Sequence, residues 1–167
     1  MHAYRVTKYD PRSRNDVGHF TGDEWTSVSD IGRLIGASML TAVEYLRVEN
    51  LYVQSVQSQM SAFGIDTFRV SGLEVRSVAW GKEIVDDVCE VCRGLQEDDL
   101  VSGKQLEDII RGCLRSYIWC RLSDARAYIH FGYDYYMYIG LPGPIIDSKL
   151  PAGIFAEECA SPYAESD

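Results

Sequence analysis

The sequence predicts a single α+β domain with an antiparallel or mixed sheet, two main helices packed on one face, and a late aromatic β-hairpin. Helical patterns lie between runs that alternate like strands, and the last regular elements are two strands in succession. A doubly wound parallel sheet would instead need strict alternation of strand and helix. The length of 167 residues fits one domain, which we place at residues 1–156, with an acidic polar tail at 157–167.

The first part of the chain predicts a strand, a long loop and a helix. Residues 3–9 alternate apolar and polar side chains, and residues 10–28 hold the Gly, Asn and Asp-Pro signals of a loop. Thr41 followed by Glu44 is a capping-box pattern, which starts helices. Apolar residues then recur at intervals of three and four, so we expect a helix from Thr41 to Ala62.

The middle of the chain predicts one strand and two further helices. Residues 66–78 have the composition of a strand with a bend at Gly72. Apolar residues at helical spacing indicate a short helix within 84–95. A second capping-box pattern indicates a helix that runs through residues 102–118.

The end of the chain predicts the hairpin. Residues 125–131 and 135–139 are rich in aromatic and β-branched side chains and flank a short loop that contains Gly132. Strand alternation places Tyr136 and Tyr138 on one side of the sheet. The same alternation places Tyr135, Met137 and Ile139 on the other side.

The charge distribution bears on the partner. The net charge is −9, and residues 51–167 hold ten Lys or Arg against eighteen Asp or Glu. An acidic surface repels phosphate backbones and anionic lipid, so we expect no nucleic acid and no membrane. Opposite charge favours a basic protein partner, although negative charge can also serve solubility alone.

Negative charge is densest in residues 83–99, where seven carboxylates accompany only Arg93. This stretch predicts a docking surface for a basic partner, or a solvated helix face. Tyrosines of the hairpin could extend that surface as an exposed aromatic patch, or could pack across strands. The partner-binding candidates are Asp86, Asp87, Glu90, Asp98, Asp99, Tyr133 and Tyr135.

Five cysteines are present, and Cys89 with Cys92 forms a CxxC motif. Two thiolates at this spacing could bind zinc, but a structural zinc site needs two further ligands and the sequence has no second such motif. We therefore expect buried core cysteines, no metal and no cofactor. Residues 2–7 lack the apolar run of a leader peptide, so we expect none. Together with the odd number of cysteines, this favours a reducing, cytoplasmic setting.

A small hydrolase-like enzyme is the alternative hypothesis. His130 and Asp134 could form a general-base pair, and Asp23 with Glu24 could supply acid–base carboxylates. Their structural interpretations are a packed histidine, a turn residue and helix caps. The enzyme requires all four residues to converge in one cleft. A homodimeric structural protein that pairs through the hairpin is a third hypothesis.

Three stretches, residues 4–11, 23–32 and 130–140, resemble a group of small uncharacterised bacterial proteins. The resemblance spans most of the chain and implies no reaction and no site. The size and acidity are similar to those of toxin-immunity proteins, which is an analogy and not a motif match. The leading hypothesis is an acidic cytoplasmic protein-binding module, in its specific form an immunity-type inhibitor of a basic toxin.

Overall fold

The computed structural model describes residues 1–76 and 84–164, and it confirms the α+β fold class. Three α-helices accompany a seven-stranded sheet in the described part of the chain. The helices are α1 (Ala42–Ala62), α2 (Val88–Gly94) and α3 (Gly103–Leu114). The strands are β1 (His2–Thr7), β2 (Leu34–Ile35), β3 (Ser38–Met39), β4 (Thr67–Val75), β5 (Leu100–Ser102), β6 (Ile118–Asp124), β7 (Ala127–Phe131), β8 (Met137–Leu141) and β9 (Phe155–Glu158).

The large sheet is antiparallel throughout, in the order β5-β4-β6-β7-β8-β1-β9, and β2 pairs with β3 in a separate hairpin. Alternate residues of each strand point to opposite faces. The inner face is apolar and packs with the buried sides of the helices in one core. The predicted alternation of the late hairpin is confirmed, because Met137 and Ile139 lie in this core whereas Tyr138 lies on the outer face, opposite His130 in the strand register.

Helix α1 begins as predicted. The Thr41 side chain caps it by accepting a hydrogen bond from the Glu44 backbone N–H at 3.1 Å. The reciprocal half of the capping box is not formed, because the Glu44 carboxylate pairs with Arg47 instead. The helix ends at Ala62, and Gly64 follows the cap residue Phe63 with a φ of +64°, which suits a residue without a Cβ.

The second predicted capping box is wrong. Ser102 makes no side-chain cap bond and is the last residue of β5, a strand that the sequence reading missed. The predicted helix also ends early: α3 stops at Leu114, and a turn with φ +58° at Ser116 leads into β6. The spacing of apolar residues remains compatible with a helix up to Ile118, which concealed the change to strand alternation.

A β-bulge interrupts β4 between Ser71 and Glu74. Gly72 adopts a φ of +61° there, which only glycine tolerates well. The Glu97 carboxylate accepts hydrogen bonds from the backbone N–H groups of Gly72 and Leu73 at 2.7 and 2.8 Å. The bulge thereby turns the end of β4 so that Glu74 pairs opposite Trp119.

The C-terminal segment covers part of the outer face. The predicted polar tail from residue 157 is wrong for residues 157 and 158, which belong to β9. Ser161 is buried, and Tyr163 packs edge-on against Trp119 with ring centroids 5.4 Å apart. No helix within the described ranges is long and apolar enough to cross a membrane.

Candidate functional site

The loop between β7 and β8 is a tight turn in an uncommon conformation. Asp134 and Tyr135 have φ values of +55° and +62°, and the Tyr136 N–H donates to the Tyr133 carbonyl at 3.2 Å. Positive φ at both central positions defines a type I′ turn, in which glycine or asparagine is usual. A bulky residue such as Tyr135 in this region costs conformational energy, so the surroundings must hold it there.

Two tyrosine hydroxyls hold the turn by its carbonyl groups. The Tyr9 hydroxyl donates to the Asp134 carbonyl at 2.8 Å, and the Tyr52 hydroxyl donates to the Tyr135 carbonyl at 2.9 Å. Tyr9 is buried two residues after the end of β1, and Tyr52 is buried on α1, so both anchors are held in the core. The tip is therefore fixed before any partner arrives, which lowers the entropy cost of binding.

Tyr135 is the internal anchor of the hairpin. Its ring packs edge-on against Trp25, Tyr45 and Tyr52, with centroid distances of 4.8, 5.8 and 5.0 Å. The expectation that Tyr135 faces a partner is therefore corrected, because it is only 4% exposed. Its neighbour Tyr133 is 81% exposed at the tip of the turn.

A cleft of about 440 Å³ opens beside this tip. It lies at one end of the sheet, where β4 and β7 end and β6 and β8 begin. Six of its sixteen lining residues are aromatic and three are charged. The residues used in the argument are Glu74, Arg76, Trp119, Tyr133, Asp134 and Tyr163.

The cleft rim retains carboxylates that the fold does not use. Within the described ranges, neither Glu74 nor Asp134 forms an ion pair, and both are exposed. Trp119 is fixed in the wall because its indole N–H donates to the Phe131 carbonyl at 2.9 Å. The sequence reading identified Tyr133 but missed Glu74 and Trp119, because β6 was not recognised.

No family model, curated protein or solved structure matches this chain. The function therefore has to be inferred from the geometry and chemistry of its own residues.

The acidic stretch contrasts with the cleft. Asp98 lies 3.7 Å from Arg69, and Glu90 pairs with Arg93 one turn along α2. Asp99 accepts the Gln96 N–H. Most carboxylates of residues 84–99 thus have partners within the chain.

Two members of the stretch need separate mention. Asp87 is exposed and makes no side-chain cap bond to α2. Asp86 accepts two hydrogen bonds from Arg115, at 2.9 and 2.8 Å. Glu83 lies outside the described residues.

Arg115 is the centre of a buried ion network. It is 1% exposed, and its Nε and Nη2 atoms each donate to Glu49 at 2.7 Å. Glu49 is fully buried on α1 and also accepts from Arg111 at 3.0 Å. Asp86 is therefore part of a structural network, because a buried charge persists only when it is fully paired.

The four residues of the enzyme hypothesis occupy different surroundings. Glu24 pairs with Lys8 at 2.7 Å, and the Asp23 carboxylate accepts the Gly36 N–H at 2.8 Å. Asp134 lines the cleft, whereas His130 lines a separate cavity on the outer face. The structure therefore does not bring them together in one cleft.

His130 does contact a hydroxyl that the sequence gave no reason to select. Its Nδ1 lies 2.8 Å from the Ser161 Oγ, and its ring stacks on Tyr128 at a centroid distance of 4.4 Å. Burial lowers the pKa of His130 to about 4, with a further contribution from Arg121. Ser161 Oγ also accepts the Tyr163 N–H at 3.2 Å, so this buried pair fastens the C-terminal segment to the sheet.

The cysteines lie mainly in the core. Burial raises the pKa of the Cys92 thiol to about 12, which makes the reactive thiolate scarce at neutral pH. Cys113 and Cys120 are also buried, and their sulfurs lie 3.7 Å apart without forming a disulfide. Among residues 1–76 and 84–164, no group of three or more potential ligand side chains is placed to hold a metal ion.

Proposed function

We propose that this protein is an acidic protein-binding module that recognises a basic protein through the cleft beside the β7–β8 turn. The observation that carries the proposal is Tyr133, which is 81% exposed on a turn whose carbonyl groups are held by Tyr9 and Tyr52. Exposed aromatic side chains on rigid backbone are frequent centres of protein interfaces. The specific form of the proposal is an immunity-type inhibitor of a basic toxin.

Charge supports the same class of partner at two ranges. Glu74 and Asp134 place unpaired carboxylates at the cleft itself. The net charge of −9 adds a long-range field that attracts a basic protein and accelerates its association. The proposal retains Tyr133 from the predicted set and assigns Asp87, which is exposed and makes no cap bond, to this long-range attraction.

A cytoplasmic setting belongs to this proposal. All five cysteines are free thiols, as is usual in a reducing compartment.

Affinity capture from the native host tests the proposal. Immobilised protein is compared with a variant that combines Tyr133→Ala and Asp134→Asn, and with the control Asp98→Asn. The control removes the same charge from a residue that also has a positive φ, +69°, but lies outside the cleft lining. We expect a basic protein that the parent and the control retain, that the cleft variant loses, and that rising salt releases.

Retention of the same protein by all three would contradict the cleft as the binding site. Light scattering provides the second measurement, because a dimer that the cleft variant abolishes would favour a homodimer instead. Each variant is first checked for native circular dichroism.

A further inference from the structure

We propose that the cleft receives the guanidinium group of an arginine side chain on the partner. This inference rests on the proposed function and names the group that its site recognises. Three features carry it: aromatic walls, two unpaired carboxylates on the rim, and a rigid tip.

The aromatic walls suit a flat cation. Trp119 and Tyr163 pack edge-on at 5.4 Å, so the ring face of one meets the ring edge of the other. Tyr133 adds a third, exposed ring at the tip. Cations are attracted to aromatic faces, and arginine stacks on them more readily than lysine because its guanidinium is planar and weakly hydrated.

The chain already contains such contacts between its own residues. The guanidinium carbons of Arg5 and Arg14 lie 4.9 and 5.5 Å from the ring centroid of Tyr136, which also lines the cleft. Arg14 additionally donates a hydrogen bond to the Tyr136 hydroxyl at 3.1 Å. Both arginines also form ion pairs with Glu157. On that side of the cleft, a tyrosine ring, arginine side chains and a carboxylate therefore already interact.

The other side of the cleft carries the same kinds of group. Glu74 and Asp134 supply carboxylates and Tyr133 supplies a ring, but within the described ranges no arginine pairs with either carboxylate. Arg76 lies on the same rim and reduces the local negative charge. Because the charge of Arg76 opposes that of the carboxylates, removing Arg76 should strengthen the binding of a cation and removing the carboxylates should weaken it.

The test uses N-acetyl-arginine amide as the probe and N-acetyl-citrulline amide as its uncharged match in shape. Binding is followed by the NMR resonance of the Trp119 indole N–H, assigned with a Trp119→Phe variant. We expect a saturable shift with the arginine probe and binding at least about tenfold weaker with the citrulline probe. Equal binding of the two probes, or no shift with either, would overturn the proposal.

Variants sharpen the result. Combined Glu74→Gln and Asp134→Asn should weaken arginine binding about fivefold or more, whereas the control Asp98→Asn should change it less than about twofold. Arg76→Gln should strengthen it about two- to threefold, because a like charge is removed. A weaker affinity for the arginine probe in Arg76→Gln would contradict the assigned electrostatics of the cleft and reject the proposal.

This experiment and the affinity capture can fail independently. If a cleft-dependent partner is captured but arginine and citrulline bind equally, this inference is wrong and the proposed function stands. If arginine binds selectively and no cleft-dependent protein is captured, the cleft recognises guanidinium groups and the protein-binding function is wrong.

Discussion

The two sides of the sheet each bury a polar pair, and they do so by different means. On the helical side, Glu49 and Arg115 are charged and buried, and Arg111 and Asp86 complete their hydrogen bonds. On the outer side, His130 on β7 and Ser161 in the C-terminal segment share one hydrogen bond. The buried charges require complete pairing, whereas the histidine stays neutral because its pKa is lowered to about 4.

The comparison teaches which polar residues are free for function. Where the two sides of the sheet are covered, both polar pairs are satisfied by the chain itself. At the end of the sheet, Glu74 and Asp134 are exposed and have no ion pair within the described ranges. Substitutions in these three places should therefore affect stability to very different extents.

The largest effect is expected from Glu49→Gln. The substitution leaves Arg115 buried with an incomplete set of charged acceptors, and breaking a buried ion pair costs about 3 kcal/mol or more. Urea unfolding should show this loss in the free energy of unfolding. The matched substitution Glu44→Gln alters an exposed pair on the same helix and should cost less than about 1 kcal/mol; similar losses in both variants would contradict a special role for the network.

An intermediate effect is expected from pH and His130. The unfolded histidine binds a proton near pH 6.5 and the folded one only near pH 4, so stability is fully present above pH 6.5 and is lost as the pH falls towards 4. Between pH 7 and 5 the loss should be about 1–2 kcal/mol. His130→Asn, which retains an amide able to bond Ser161, should show a smaller pH slope than the parent; identical slopes would exclude His130 as the cause.

The same contrast explains what could be predicted from the sequence. Helix α1 and the β7–β8 hairpin were predictable because their patterns are local and long. Strand β6 was missed because the apolar residues before it continue a helical spacing through Tyr117 and Ile118.

The site was predictable only in part. Tyr133 and Asp134 were selected as candidates because they lie in a recognisable turn. Glu74 and Trp119 are 45 residues apart in sequence and meet only through the bulge in β4 and its pairing with β6. The acidic stretch was predicted as a binding surface because its carboxylates are evident in the sequence. The sequence does not reveal that several of them pair with Arg115, Arg93 and Arg69.

The smallest effect on stability is expected at the cleft itself. Combined Glu74→Gln and Asp134→Asn should change the free energy of unfolding by no more than about 0.5 kcal/mol, as is usual for exposed residues without partners. Asparagine also tolerates the positive φ of position 134 better than most residues do, so the turn should persist. Thermal unfolding measures this, with Tyr135→Leu as the contrasting variant, since it removes the ring that Trp25, Tyr45 and Tyr52 surround. A loss above about 1 kcal/mol in the carboxylate variant would mean that these groups support the fold, and its weaker arginine binding could then not be attributed to the site alone. Unchanged stability together with weaker arginine binding would separate the stability role from the binding role. The two carboxylates would then contribute to recognition of a partner and not to the fold.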